Sequence, residues 1–173
     1  MADRTAYIGV GANINPEINI LSAIKRLRDH VRITGVSTFL QTPPLKHPEQ
    51  PPYLNGVIRA QTNLEARPLK FDVLRRIESE LGRVRSGDPY AARTIDLDLL
   101  LFDDWVVAEK DLCIPDPDIR ARSFLAAGLY ELDPELALPG SRERVADLPC
   151  LAMVEKGVRA DAFTKEVRQA LGL

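Results

Sequence analysis

Between Ile20 and Val31 the apolar positions Ile20, Leu21, Ile24, Leu27 and Val31 recur at spacings of one, three and four, the mark of a helix with one core-facing stripe. Lys25, Arg26 and Arg28 fall mainly on its wet side, Asn15 can cap it, Pro16 suits its first position, and Glu17 lies near its positive end. Ala6 to Gly11 reads as a strand before it. Val31 to Gln41 alternates loosely as a second strand, and Tyr53 to Thr62 as a third. Pro68 to Leu81 turns Phe71, Leu74, Ile77 and Leu81 inward as a second helix, with Gly82 as its stop. From Gly82 to Arg93 no apolar period survives. Arg83, Arg85, Gly87, Asp88 and Pro89 form a basic, mobile loop of the kind that acts as a lid. A further strand runs to Asp103-Asp104, a hairpin passes through Trp105-Val106-Val107 toward Ile114, and Ser123 to Leu132 forms a third helix ended by Asp133-Pro134. The order β-α-β-β-α-β predicts an α+β fold, a ferredoxin-like α/β sandwich with a mainly antiparallel sheet and helices on one face. The other face is left for ligands.

The strand after the basic loop breaks the pattern. Arg93-Thr94-Ile95-Asp96-Leu97-Asp98 runs on into Leu99-Leu100-Leu101-Phe102, so Asp96 and Asp98 share one face and Ile95, Leu97 and Leu99 the other. Same-face neighbours lie roughly 6 to 7 Å apart, and like charges that close repel. A divalent cation over the pair relieves that repulsion; a solvated acidic edge strand is the plainer alternative. The chain has only His30 and His47, and Cys113 and Cys150 are far apart without CxxC spacing, so zinc and iron lack ligands. Hard oxygen donors suit Mg²⁺, which takes one or two carboxylates and completes its shell with water and substrate phosphates.

At 173 residues the chain fits one domain, 1–173, whose segment 141–173 is less defined, with Ala162 to Leu171 helical in pattern. Its 45% hydrophobic and 28% charged residues are ordinary, and a net charge of −2 argues against general affinity for nucleic acid or membrane. No signal peptide opens the sequence, no apolar run reaches membrane-spanning length, and two isolated cysteines suit small core positions, so a cytoplasmic setting is expected.

Gly9-Val10-Gly11-Ala12-Asn13 begins like a dinucleotide fingerprint but has Ile14 in place of the third glycine, and no P-loop occurs. Any polyphosphate must therefore be met by metal and by arginines. Arg83, Arg85, Arg93, Arg120 and Arg122 flank the acidic strand; singly each is a surface residue, together they suggest a phosphate site. A second candidate pocket is Thr42-Pro43-Pro44-Leu45 with Pro51-Pro52-Tyr53-Leu54-Asn55. Tyr53 and Asn55 face the same way and could stack on and read a flat polar ring, although a proline-rich turn with a half-buried tyrosine is the plainer reading of the residues alone.

In their order these motifs resemble the 6-hydroxymethyl-7,8-dihydropterin pyrophosphokinase family. The resemblance rests on Tyr7 to Asn13, Gln41-Thr42-Pro43-Pro44, Tyr53-Leu54-Asn55, Ile77-Glu78, Leu81 to Arg85, Arg93 to Phe102, Ile114-Pro115, Arg122-Ser123-Phe124 and Leu132 to Leu136. It implies transfer of the β,γ-pyrophosphoryl group of ATP to the hydroxymethyl oxygen of the pterin, with AMP released, in folate biosynthesis. It further implies that Asp96 and Asp98 hold two Mg²⁺ ions, that Arg83 and Arg93 act on the transferred group, and that Glu78, Arg85 and Arg122 serve ATP. Thr42, Pro44, Leu45, Tyr53, Asn55 and Phe124 match the pterin pocket. Strict alternation sets Arg93 on the face opposite Asp96, so its role rests on the resemblance and on the loop end departing from strand geometry.

The departures are Asp116 where the family usually has a nucleotide-contacting histidine, Asp111 where a residue often helps to hold ATP, Arg75 where a shorter polar side chain is common, and Tyr90 for a frequent tryptophan. An added carboxylate near phosphate predicts weakened ATP binding. The competing readings are a pterin-binding paralogue with impaired catalysis and a non-catalytic ferredoxin-like binding module. The sequence favours a monomer slightly and names no protein partner.

Overall fold

The computed structural model describes residues 3–152 and 158–173. β1 (Arg4–Ala12) is an inner strand, and β2 (Arg32–Val36), β3 (Leu40–Thr42), β4 (Tyr53–Thr62) and β5 (Asp96–Phe102) build the sheet with it. β4 and β5 flank β1, both antiparallel, while β2 and β3 pair with the far side of β4. β6 (Val107–Ala108) and β7 (Cys113–Ile114) form the expected hairpin as a separate ladder, and β8 (Val158–Arg159) extends the main sheet beyond β3.

The segment expected as one strand from Val31 to Gln41 is two, because side chains take over its middle. The Ser37 hydroxyl accepts from the Val57 amide at 2.8 Å, Glu131 accepts from the Thr38 amide at 2.9 Å, and the Thr164 hydroxyl accepts from the Phe39 amide at 2.9 Å. With those groups occupied, pairing with β4 between Val36 and Leu40 is reduced to the Ser37 amide on the Val57 carbonyl at 2.9 Å.

The first helix, Pro16–Leu27, buries Ile20, Ile24 and Leu27. Asn15 adopts a left-handed conformation (φ 41°) and its side chain makes no capping bond; Asn19 instead donates to the Ile14 carbonyl at 2.7 Å. The second helical stretch is Ala66–Pro68, then Leu69–Leu74 with π-type hydrogen bonding, then Arg75–Glu80. Gly82 (φ +77°) ends it as expected, in a conformation glycine adopts without cost. Both helices pack on Ile8, Val10, Ile58, Leu97 and Leu99.

The expectation of helices on one face alone is corrected. The helix Ser123–Leu132 lies on the opposite face, where Leu125, Ala126 and Leu129 pack with Tyr7, Val57, Leu100 and Leu101. Its stripe is too apolar to stay wet, and Gly128 lets it approach β4: a Cβ there would stand 2.6 Å from Val57 Cγ2. A register shift between Tyr7 and Ile8 leaves Leu100 as the extra residue in β5, so Leu100 and Leu101 both join this second core. Ligand space on that face is thereby confined to the end beyond Ser123.

The last helix, Asp161–Leu171, buries Phe163 and Val167, with Phe163 edge-on to Phe39 at 5.2 Å, and Arg168 donates to the Val36 carbonyl at 2.7 and 3.0 Å. Cys150 is buried as expected, whereas Cys113 is exposed; neither is in a disulfide. Among the described residues no helix is long and apolar enough to cross a membrane.

Candidate active site

One row across the sheet sets the site. Gly11 on β1 stands opposite Asn55 on β4 and opposite Asp96 on β5, and Gly9 stands opposite Asp98. The glycine at the centre of the row leaves room for the carboxamide: a Cβ on Gly11 would meet Asn55 Oδ1 at 2.5 Å. Above the row opens a cavity of about 1080 Å³, walled by the strand ends, the proline-rich segment, the basic loop and the start of the helix Ser123–Leu132.

On the acidic side, Asp96 accepts from Arg83 on one oxygen and from Arg93 on the other. Arg83 also reaches Glu78 Oε1 at 2.5 Å, Arg85 reaches Glu78 Oε2 at 2.5 Å, and the Leu97 amide donates to Glu78 Oε1 at 2.8 Å. The turn at Gly82, closed by the Arg83 amide on the Glu78 carbonyl at 3.0 Å, folds the chain back so that both arginines can reach this carboxylate. Glu78 is only 2% exposed; burial pushes its carboxyl up to about 7 against the pull of the Leu97 amide and Arg83.

Asp98 has no side-chain partner among the described residues. It opens to the cavity; its partly enclosed place on the floor and the neighbouring Asp96, Asp116 and Glu78 push its carboxyl up, with Arg83 pulling the other way. Asp96 and Asp98 offer hard oxygen donors and no nitrogen or sulfur, and among the described residues no group of three or more His, Cys, Asp or Glu gathers into a closed metal cage. That donor set fits a cation such as Mg²⁺ that takes the remaining ligands from water and phosphate.

Across the cavity Tyr53, Asn55, Thr42, Leu45 and Phe124 line the other wall. Asn55 donates to the Thr42 hydroxyl at 2.7 Å, which fixes its amide, and Tyr53 donates to the Ala91 carbonyl at 3.3 Å. Arg122, at the start of the helix Ser123–Leu132, lies 3.5 Å from Asp118, and both line the cavity.

Eleven of the predicted site residues thus meet in one cavity: Thr42, Leu45, Tyr53, Asn55, Arg83, Arg85, Arg93, Asp96, Asp98, Arg122 and Phe124. Two do not reach its surface. Pro43 rather than Pro44 lines it, and Glu78 lies beneath, touching the arginines instead of the space. Arg93 reaches Asp96 because β5 begins only at Asp96, so strand alternation does not govern it. A residue not singled out makes this happen: Asn13 Oδ1 accepts from the Arg93 amide at 2.8 Å, and the Asn13 and Ile14 amides donate to the Arg93 carbonyl at 3.2 Å. The signal available was a polar residue directly after a buried strand. Asp111 is held by Arg67 at 2.9 Å and is absent from the cavity wall, as is Asp116, which accepts from the Asp118 amide at 2.8 Å.

Residues 7–134 match the family described as 7,8-dihydro-6-hydroxymethylpterin-pyrophosphokinase (HPPK). The chain is 38% identical over 143 residues to a 2-amino-4-hydroxy-6-hydroxymethyldihydropteridine pyrophosphokinase of Haemophilus influenzae, covering 80% of this chain and 87% of that protein. It is 35% identical over 133 residues to the protein of the same name from Bacillus subtilis, covering 75% and 78%. In fold it is similar to the wild-type HPPK-DHPS of Plasmodium falciparum, with a TM-score of 0.68 and 11% identity over 99% of this chain and 47% of that one, so it spans less than half of that solved chain. The matched segment contains Asp96, Asp98 and the arginines directed at Asp96, and by that match the chain belongs to the HPPK family.

Proposed function

We propose that this cavity is where pyrophosphate passes from ATP to the hydroxymethyl oxygen of 6-hydroxymethyl-7,8-dihydropterin, leaving AMP and the pterin diphosphate. The chain is a transferase of folate biosynthesis with ATP as co-substrate. The observation that carries the assignment of residues is that one cavity joins an acidic pair with converging arginines to a wall holding an aromatic ring and a fixed carboxamide.

In this reading Tyr53, Leu45 and Phe124 enclose the pterin ring, and Asn55, steadied by Thr42, reads its edge. Arg85 and Arg122 hold nucleotide phosphates. Arg83 and Arg93 neutralise charge on the transferred group, and Glu78 acts by setting the aim of Arg83 and Arg85. Asp96 and Asp98 would hold two Mg²⁺ ions, which would supply positive charge against that of the phosphates. Transfer at phosphorus needs no protein nucleophile; alignment and charge neutralisation suffice, and the basic loop keeps water from the pyrophosphoryl group. Asp116 adds negative charge beside Asp98 and weakens ATP binding relative to a neutral residue there.

We further read residues 1–173 as one domain, since the last helix packs into the same core as β1, and we place the reaction in the cytoplasm. The test is incubation with ATP, Mg²⁺ and the reduced hydroxymethyl pterin while AMP is followed. Stoichiometric AMP and pterin diphosphate are expected. Pterin binding without turnover would make the chain an impaired paralogue, and neither would reduce it to a binding module.

A further inference from the structure

His47 faces a carboxylate on each side of its ring. Nδ1 stands 2.9 Å from Glu49 Oε1 on its own segment, and Nε2 stands 2.8 Å from Asp88 Oδ2 on the basic loop. Ionised carboxylates only accept hydrogen bonds, so both contacts are made together only when both ring nitrogens donate, as in the imidazolium. Asp88 is itself oriented: its Oδ1 accepts from the Tyr90 amide at 2.9 Å, and that bond, with help from His47 and Arg93, holds its carboxyl below the usual range. The hydrogen bonds to Glu49 and Asp88 push the His47 imidazole up. Lys46, the other charge on this segment, sits 4.5 Å over the ring of Tyr90 on the same loop, a contact that does not depend on the His47 proton.

The contact joins the proline-rich segment to the tip of the loop that carries Arg83, Arg85 and Arg93. Closer to the base of that loop the tethers are neutral, Gln50 donating to the Tyr90 carbonyl at 3.2 Å and Tyr53 to that of Ala91. We propose that His47 is a positioning residue for the transfer: as imidazolium it clamps Asp88 and closes the basic loop over the cavity, and on losing its proton it releases the loop tip. The inference rests on the reading of the cavity as the ATP and pterin site.

The protein holds two histidines, so the imidazole resonances of wild type and His47→Gln assign each by subtraction. In proton NMR titrations without substrates, His47 is expected to titrate above 6.5 and to move down in Asp88→Asn. In turnover assays the KM for ATP is expected to rise by about two- to five-fold as pH passes the His47 midpoint, with kcat within about twofold. His47→Gln should show the raised KM at low pH and lack the step. A His47 that titrates at 6.5 or below, ignores Asp88→Asn, or leaves the KM step intact when replaced overturns the proposal. Loss of turnover in every form, with the NMR shift present, would instead strike at the assigned reaction.

Discussion

Asp96 and Asp98 project from one face of β5 yet are balanced in opposite ways: Asp96 gives an oxygen each to Arg83 and Arg93, and Asp98 receives no donor among the described residues. The unpaired member is held against repulsion from Asp96, Asp116 and Glu78. Asp98→Asn is therefore expected to lose Mg²⁺-dependent turnover by more than about 10²-fold while the melting temperature holds or rises. A clear drop in melting temperature would show that Asp98 has a structural partner.

Arg93 reaches Asp96 from outside the strand and is fixed by Asn13. Arg93→Ala is expected to cut kcat by about 10² to 10³ with little change in nucleotide affinity, as for the loss of one preorganised donor to the transition state. Isothermal titration with ATP beside steady-state kinetics separates the two, and equal losses in both would make Arg93 a ground-state ligand.

Glu78 carries a pH signature. Between its ordinary value of 4.5 and its folded value of about 7 the folded chain retains a proton that the unfolded chain has given up. Unfolding then releases protons, so this group's contribution to stability falls as pH rises across that window. Glu78→Gln, neutral throughout, is expected to lack the slope, and wild type should lose ground against it in thermal unfolding between pH 5 and pH 8. If wild type gains ground instead, Arg83 and Arg85 outweigh burial and the carboxylate is charged throughout.

Gly11→Ala aims at one wall only. The added methyl would meet the far end of the Asn55 side chain, which can swing away, so folding should survive while the carboxamide leaves its place. The KM for the pterin is expected to rise by about tenfold or more, the loss of a hydrogen-bonded recognition group, with ATP affinity unchanged. A parallel rise for both substrates would mean that the change spreads beyond Asn55.

Much of this was legible because it follows short-range rules. The first helix, β4, the helix Ser123–Leu132 and the same-face aspartates all come from side-chain periodicity, and Gly82 from its tolerance of positive φ. What escaped depends on partners distant in the chain. The break between β2 and β3 exists because Glu131 and Thr164 capture amides 93 and 125 residues away. The second helical layer depends on Gly128 meeting Val57, and the place of Arg93 depends on Asn13, 80 residues before it. No local pattern encodes such pairings.

Because Asn55 and Asp96 sit in register on either side of Gly11, the gap between the carboxamide and the acidic pair is two interstrand steps, about 10 Å. Backbone hydrogen bonding thus acts as a ruler that side-chain substitution cannot reset. Side chains on either wall can change, but the reach between the two walls is fixed by the pitch of the sheet.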